Sequence, residues 1–334
     1  MEYRNLGKSG LKVSVISLGA MTFTEKGWRS SGSMDFKEIQ KVVDYAIDKG
    51  VNLFDTADIY AFGESEELLS KALGNRINDV IIATKVRGVM SDDPNDRGLS
   101  RYHIFKSVDN SLKRLKRDYI DIYQVHWWDN TTPIEETLEA LNDLVRAGKV
   151  RYVGISDFSA WQITKSVMLQ EMKNYSKFIS AQMYYSLLGR DIEHEVVPAC
   201  QDLGLGILAW SPLAGGFLTG KYSRESELPE DSRYKRMERH FLRFDFEKAY
   251  FVVDELRKLA EKYNATPSQV ALNWLRSKDY VSSMIVGVRK LEHLIDNLKA
   301  VEWELAPEDV EYLDEITKPE RPYPQWFLDM FADL

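Results

Sequence analysis

The sequence has little cysteine, with Cys200 as the one thiol among 334 residues. A lone thiol cannot form an internal disulfide or a cysteine metal cage, so a reducing compartment is expected, the cytosol by default. Cys200 falls in a predicted helix and is interpreted as a core side chain rather than a nucleophile. Because His103, His194 and His240 do not follow a metal-ligand spacing, we predict no metal site.

Long apolar runs and an excess of positive charge are also lacking. No apolar stretch reaches the roughly 18 residues of a membrane span, and no apolar run follows the charges of residues 1–5, so we expect neither a span nor a signal peptide. Acidic residues outnumber basic ones by 52 to 44, which gives a net charge of −8. This balance argues against nucleic acid or an anionic membrane as the main partner, so local cations must bind any anionic ligand.

A phosphate-binding glycine fingerprint is missing too, because neither G-x-G-x-x-G nor a Walker loop occurs. A doubly wound open sheet would carry such a fingerprint after its first strand. Short apolar, β-branched runs alternate instead with amphipathic helical stretches, as parallel strands buried on both faces do. The eight runs are 13–18, 51–54, 80–84, 120–125, 150–155, 178–183, 206–210 and 282–286. This order predicts an α/β fold, a (β/α)₈ TIM barrel formed by residues 1–334 as one domain.

The segments around the barrel units carry their own signals. Asp35 and Thr132 each begin a capping box ahead of a helical stripe, and Thr266 precedes a proline at a predicted helix start. Residues 3–11 predict a short N-terminal hairpin that closes the barrel floor. The connections 87–99 and 212–244 are long enough to be functional lids. The aromatic C-terminal tail, 322–331, is expected either over the pocket or beside the barrel.

Titratable side chains cluster where three successive predicted strands end. Asp55, Lys85 and His126 hold these positions, and Tyr60 follows Asp55 by five residues. A lysine about 4 Å from a phenol contributes on the order of 4 kcal/mol at an effective dielectric of about 20, or about three pK units, so the pKa of Tyr60 would lie near neutrality. Asp55 would keep Lys85 charged, and His126 could bond a substrate oxygen. These residues alone leave open whether a hydride donor or an imine on Lys85 completes the chemistry.

Motifs across nearly the whole chain resemble those of the aldo-keto reductases. The first is Leu18-Gly19 with Met21, followed by Asn52-Leu-Phe-Asp55-Thr-Ala-Asp58-Ile-Tyr60 and Gly63-Glu-Ser-Glu66. Further blocks are Ile-Ile-Ala-Thr-Lys85, Tyr119-Ile-Asp121-Ile-Tyr-Gln-Val-His126 and Gly148-Lys-Val-Arg-Tyr-Val-Gly154-Ile-Ser156. Together these motifs are far more specific than any one of them.

The resemblance implies NAD(P)H-dependent carbonyl reduction. Asp55, Tyr60, Lys85 and His126 match the family tetrad, with Tyr60 as the proton donor, Lys85 lowering its pKa, Asp55 holding Lys85 and His126 orienting the carbonyl. A small-molecule aldehyde or ketone is the implied substrate, and its identity stays open.

The resemblance also implies a nicotinamide site with Ser156, Gln182 and an aromatic platform at Trp210. Trp210 stands where tyrosine is common, and its face can stack equally well. Asp157 departs further, because many members have asparagine there to bind the carboxamide, and a carboxylate can accept from the amide but cannot donate to its oxygen. The remaining implied contacts to the nicotinamide and the pyrophosphate are Gly19, Met21, Ser211, Leu213, Gly215, Gly216 and Lys221.

At the adenosine end the resemblance implies contacts from Gly287, Arg289, His293, Asp296 and Asn297. Arg289 matches the position of a 2′-phosphate contact, which favours NADPH over NADH. The substrate pocket is assigned to Trp28, Trp127 and Trp128, with one of the two adjacent tryptophans expected to line the pocket and a packing role left open for the other. An oligomer is compatible with the sequence.

Two alternatives to the reductase are kept. One is a cofactor-binding redox sensor or regulatory subunit with very slow turnover, as in relatives of the potassium-channel β subunit type. The other makes Lys85 the Schiff-base lysine of an aldolase, which a protonated, Asp55-bound amine would serve poorly.

Overall fold

Eight parallel strands close into a barrel in the computed structural model, which describes residues 1–28, 32–224 and 242–331. The barrel strands are β3 (Ile16–Gly19), β4 (Leu53–Asp55), β5 (Ile81–Val86), β6 (Ile120–Val125), β7 (Val150–Ser156), β8 (Phe178–Tyr184), β9 (Gly206–Trp210) and β10 (Val281–Gly287). Each pairs with the next in chain order, and β10 pairs with β3 to complete the ring. The predicted (β/α)₈ TIM barrel is therefore confirmed.

Helices follow the barrel strands along the chain. In the described ranges they are α1 (Phe36–Asp48), α2 (Glu64–Leu73), α3 (Arg101–Leu115), α4 (Ile134–Arg146), α5 (Ala160–Met172), α6 (Val196–Leu203), α7 (Phe246–Lys262), α8 (Pro267–Arg276), α9 (Leu291–Leu298), α10 (Pro307–Ile316) and α11 (Gln325–Asp329). Within those ranges, a search for helices of membrane-spanning length and hydropathy finds none.

A side-chain cap is present at two of these predicted helix starts and absent at the third. Asp35 caps α1 by accepting from the amides of Lys37 and Glu38, and Thr266 caps α8. The capping box at Thr132 is wrong, since Pro133 precedes α4 without a side-chain cap. The Thr132 hydroxyl instead donates to Asp129 Oδ2 at 2.8 Å. The Asp129 carboxylate therefore binds the hydroxyl that the sequence pattern had predicted to cap the helix.

Two hydrophobic clusters form on the two faces of the barrel strands. The larger one combines outward-facing strand side chains, such as Tyr123 and Val125, with the apolar faces of the helices. The smaller one fills the lower interior and consists of Leu6, Val13, Leu53, Ala83, Ile122, Leu208 and Ile285. Packing inside a parallel barrel leaves polar chemistry for the open, C-terminal ends of the strands.

An antiparallel hairpin closes the other end, as predicted, and is formed by β1 (Tyr3–Asn5) and β2 (Lys12–Ser14). Its turn carries the fully buried Leu6 into the inner cluster. The run 13–18 is therefore not one strand, because the chain leaves the hairpin after β2 and turns at Val15 to enter the barrel as β3. Apolar residues continue through this change of direction, so the sequence pattern alone does not reveal it.

The structure describes one long connection and the tail in full, and the other long connection only in part. The 87–99 connection folds back on itself, with the Gly98 amide donating to the Arg87 carbonyl at 3.1 Å. Part of the 212–244 connection, including His240, lies outside the described residues. The tail forms α11 beside the barrel, where Gln325 Nε2 donates to Glu195 Oε1 at 3.3 Å.

The hairpin turn has little room for a side chain at Gly7. Its φ is +59°, and a Cβ there would lie 2.5 Å from the Gly204 carbonyl oxygen. We expect Gly7→Ala to lower the free energy of unfolding by about 1 to 3 kcal/mol, because left-handed strain adds to a backbone clash. Urea denaturation measures this change. Gly10→Ala is the matched control, since nothing lies within 4 Å of a Cβ at Gly10. Equal effects of the two substitutions would contradict this account of the turn.

Candidate active site

A cavity of about 1270 Å³ opens at the C-terminal ends of the barrel strands. Its walls contain most of the predicted site residues, which are Gly19, Met21, Trp28, Asp55, Tyr60, His126, Trp127, Ser156, Asp157, Gln182, Trp210, Ser211, Leu213, Gly215, Gly216, Lys221, Gly287, Arg289, His293, Asp296 and Asn297. Two predicted residues are not in the walls. Lys85 lies fully buried beneath the cavity floor.

Trp128 is the second, and its assignment to the substrate pocket is wrong. Its ring packs against Phe158 at 5.2 Å and against Trp161 at 5.4 Å, away from the cavity. Trp127 lines the cavity and contacts the His126 ring, with 4.6 Å between the ring centroids. Adjacent residues beyond a strand end point in different directions, so a pair of tryptophans divides between the pocket and the outer packing.

A buried cation lies beneath the floor of the cavity. Lys85 Nζ donates to Asp55 Oδ1 at 2.6 Å, to the Thr56 carbonyl at 2.8 Å and to the Tyr60 hydroxyl at 3.2 Å. These bonds use the three donors of the ammonium group. The two strands that carry Asp55 and Lys85 are neighbours, with Asp55 opposite Ala83 in the register, so both side chains meet at one edge of the ring.

The other oxygen of Asp55 joins two further strands to this site. Gln182 Nε2 on β8 donates to Asp55 Oδ2 at 2.7 Å, and Gln124 Nε2 on β6 donates to the same atom at 3.2 Å. Gln124 was missed in the sequence, although it precedes His126 by two residues and so shares the inward face of β6. The carboxylate is thus held by groups from three strands in addition to its own.

Tyr60 reaches the site from a strained turn after β4. Ala61 and Phe62, the next two residues, have φ values of 47° and 55°, which are rare for residues with a side chain. The Tyr60 ring lies 5.7 Å from the His126 ring and 5.5 Å from the Trp28 ring, measured between centroids. The phenol therefore stands between the buried lysine and an aromatic upper wall.

The prediction that Tyr60 titrates near neutrality is wrong. Burial raises the pKa of Tyr60, and the nearby Lys85 ammonium lowers it by less, so the pKa lies above its ordinary value. Burial lowers the pKa of Lys85, but Asp55 and Tyr60 raise it by more, and the net pKa lies above the ordinary one. A Coulomb energy for the pair alone omitted the desolvation of the phenol. At neutral pH the site therefore combines a protonated phenol with a charged ammonium.

Asp157 and Trp210 contact each other on one side of the cavity. Trp210 Nε1 donates to Asp157 Oδ1 at 3.0 Å, and Ser156 Oγ donates to Asp157 Oδ2 at 3.2 Å. Asp157 has a φ of 52°, a left-handed conformation that aspartate and asparagine tolerate better than most residues. An indole N–H only donates, and a carboxylate only accepts, so this tryptophan and this aspartate are complementary.

The far end of the cavity is basic and rich in glycine. Lys221, Arg289 and His293 lie in its wall. Burial, followed by the charges of Lys221, Lys290 and Arg289, lowers the pKa of His293. Gly216 has a φ of 93° in the short 3₁₀ segment Ala214–Thr219 that crosses this end. Cations beside a compact glycine-containing turn suit an anionic ligand such as a phosphate.

Asp296 and Asn297 lie at the same end, on α9. Asp296 accepts from Thr266 Oγ1 at 2.9 Å and from Gln269 Nε2 at 2.6 Å, so both of its oxygens bind the start of α8. Asn297 is buried, with 5% of its surface exposed. Asp296 therefore fixes α8 against α9 as well as lining the cavity. In the described ranges, no group of three potential His, Cys, Asp or Glu metal ligands is found.

Asp55→Asn tests how strongly the buried pair stabilises the fold. We expect the free energy of unfolding to fall by about 3 to 5 kcal/mol, because the substitution leaves the Lys85 ammonium buried without its carboxylate. Chemical denaturation at neutral pH gives the value. Glu135→Gln is the matched control: it breaks the exposed pair with Lys165, whose charged atoms are 3.7 Å apart, and should change stability by at most about 0.5 kcal/mol. A loss at Asp55 no larger than the control's would contradict the structural role of the pair.

Comparison with known proteins shows to which family the chain is similar. The model of the Aldo/keto reductase family matches residues 15–318. The chain is 39% identical over 328 residues to the Bacillus subtilis (strain 168) protein named "Uncharacterized oxidoreductase YrpG", covering 95% of this chain and 96% of that one.

Two further similar proteins are named as a channel subunit and as a reductase. A "Probable voltage-gated potassium channel subunit beta" of Oryza sativa subsp. japonica is 38% identical over 335 residues, covering 96% of this chain and 98% of the other. The "Versiconal hemiacetal acetate reductase" of Aspergillus parasiticus is 35% identical over 349 residues, with 97% and 99% covered. Proteins similar to this chain therefore have names of both enzymes and channel subunits.

Proposed function

Because the chain belongs to the aldo/keto reductase family of NAD(P)H-dependent oxidoreductases, we propose that it reduces an aldehyde or ketone to an alcohol with NADPH, reversibly. One observation carries this proposal: Lys85 bonds both Asp55 and Tyr60 beneath a large cavity whose opposite end is basic. That arrangement joins a proton donor to a cavity of about 1270 Å³ with cations for a dinucleotide's phosphates.

Tyr60 is the proposed proton donor. Its hydroxyl reaches the cavity wall, and its raised pKa keeps the phenol protonated at neutral pH. Donation to the carbonyl oxygen leaves a phenolate, which the Lys85 ammonium at 3.2 Å stabilises. General acid catalysis of this kind is worth about 10²- to 10⁴-fold in rate.

Asp55 and His126 support that proton transfer: Asp55 through the Lys85 ammonium that binds Tyr60, and His126 through the carbonyl oxygen that receives the proton. Asp55 holds the Lys85 ammonium at 2.6 Å, and the amides of Gln124 and Gln182 keep the carboxylate in place. His126 lies across the cavity edge from Tyr60, with 5.7 Å between ring centroids, where an imidazole N–H can orient the carbonyl oxygen. Trp28 and Trp127 supply apolar walls for the substrate.

The residues present fit a nicotinamide dinucleotide. The proposed nicotinamide end has the Trp210 ring with Ser156 and Gln182, and the proposed phosphate end has Lys221 and Arg289. When bound, the reduced cofactor supplies the hydride, so that carbonyl, hydride and the Tyr60 proton together give the alcohol. Protein surrounds the Asp55 and Lys85 side chains, so bulk water has little access to this ion pair.

Tyr60→Phe tests the assignment of the proton donor. We expect NADPH-dependent carbonyl reduction to fall about 10²- to 10⁴-fold, because the aromatic ring remains while the proton donor is removed. Steady-state assays with a panel of aldehydes and ketones measure the rate, and calorimetry checks that NADPH still binds. Tyr102→Phe removes a hydroxyl from an exposed ring outside the cavity and is the control. Undiminished turnover of Tyr60→Phe would refute the role of the phenol.

Arg289 supports the choice of NADPH over NADH. Its guanidinium lies in the wall at the basic end, where Lys221 adds a second positive charge. A planar guanidinium can bind two oxygens of a phosphate at once, and NADPH carries the 2′-phosphate that NADH lacks.

Arg289→Leu tests that preference. We expect the Kd for NADPH to rise about 10- to 100-fold with little change for NADH, since a lost charged contact to the 2′-phosphate is worth roughly 1.5 to 3 kcal/mol. Calorimetric titration with both cofactors measures it. Lys290→Leu removes the adjacent charge, which is outside the cavity wall, and should have a smaller effect. An equal loss for NADPH and NADH would exclude the 2′-phosphate role.

Relatives named as potassium-channel β subunits support one further candidate, a regulatory subunit with very slow turnover. Such a protein would bind NADPH tightly yet reduce no aldehyde at an enzymatic rate. The aldolase alternative loses ground, because the raised pKa of Lys85 and its bond to Asp55 keep the amine protonated and a poor nucleophile.

A further inference from the structure

Asp157 is a charged group in the proposed nicotinamide end of the cavity. It follows β7 directly, lies in the cavity wall and remains exposed to the solvent there. Trp210 and Ser156 each donate to one of its oxygens. Both donors are cavity residues, so the carboxylate is fixed among the groups proposed to contact the nicotinamide.

We infer that the Asp157 carboxylate makes this cavity favour the oxidised nicotinamide cofactor over the reduced one. The inference rests on the proposed function, since it concerns the nicotinamide that the function requires. The oxidised nicotinamide ring carries a positive charge and the reduced ring is neutral. A fixed negative charge nearby stabilises the first and has little effect on the second, whereas a neutral asparagine cannot make this distinction.

The charges around Asp157 leave its own charge uncompensated. Lys85 lies near enough to lower the pKa of Asp157, but its ammonium is already bonded to the Asp55 carboxylate. Further titratable groups near this end are Tyr60, protonated at neutral pH, His126, and Tyr184, whose ring lies 5.2 Å from that of Trp210. Within the described ranges Asp157 forms hydrogen bonds but no ion pair. A cationic ring would therefore be its natural counter-charge.

The protonation of Asp157 gives the preference a pH dependence. The surrounding protein desolvates the carboxyl and raises its pKa to about 6, even though the residue is exposed to the cavity. The carboxylate form therefore predominates at neutral pH, and the advantage of the oxidised cofactor should decline as pH falls below that value. The 2′-phosphate also titrates, but it does so in both cofactor forms and cancels from the ratio of their affinities.

Asp157→Asn tests the inference by the ratio of the Kd values for NADP⁺ and NADPH, measured by calorimetry without any turnover. We expect the affinity for NADP⁺ relative to NADPH to fall about tenfold, the equivalent of one pKa unit for a nearby opposite charge. Asp157→Ser removes the same charge by a different side chain and should give the same direction. Asp118→Asn is the matched control, because it removes an exposed aspartate ahead of β6, at the opposite end of the barrel.

The outcomes separate the charge from other roles. If both Kd values change by one common factor, Asp157 acts only through its bond to Trp210 and the inference is overturned. If the pH dependence of the ratio persists in Asp157→Asn, the titrating group is another one, such as His126, and the pH part is overturned. If the unaltered protein binds neither NADP⁺ nor NADPH, the proposed function itself fails. A changed ratio that becomes independent of pH in Asp157→Asn supports the inference.

Discussion

The buried Lys85 ammonium is the interaction on which the rest of the site depends. A charge with no exposed surface is tolerated only if its donors are used, and Asp55, the Thr56 carbonyl and Tyr60 use them. Asp55 in turn requires Gln124 and Gln182. The barrel must therefore keep its strand register at this level, because a shift would leave a buried ionised group without a partner.

Much of the fold was predictable from the sequence, because each barrel strand is a short, mainly apolar run and amphipathic helical stretches alternate with these runs. The exceptions have local causes. The first run continued through a turn at Val15, and Thr132 bonds Asp129 rather than capping α4. Hydrophobic periodicity contains no information about either a change of chain direction within an apolar run or a competing side-chain hydrogen bond.

The candidate site was predictable as a set of residues but not as a set of interactions. Strand ends and family motifs identified Asp55, Tyr60, Lys85 and His126. Gln124 was missed, since an amide inside a strand has no motif of its own. The predicted shift in the pKa of Tyr60 had the wrong direction, because burial of the phenol raises its pKa. The extent of that burial depends on the three-dimensional packing, which the spacing of residues in the sequence does not give.

The Tyr60 result changes how the proposed chemistry works. A phenolate at neutral pH would be a poor proton donor in the reductive direction, whereas a phenol with a raised pKa carries the proton that the carbonyl oxygen needs. Asp157 contributes to that raised pKa as a second negative charge beside Asp55. The same carboxylate thus acts in the same direction as Asp55 on the phenol, as the smallest of the contributions to its raised pKa, and by the inference above it favours a positive charge on the nicotinamide. A departure from the family pattern therefore lies within reach of both the proton donor and the proposed cofactor.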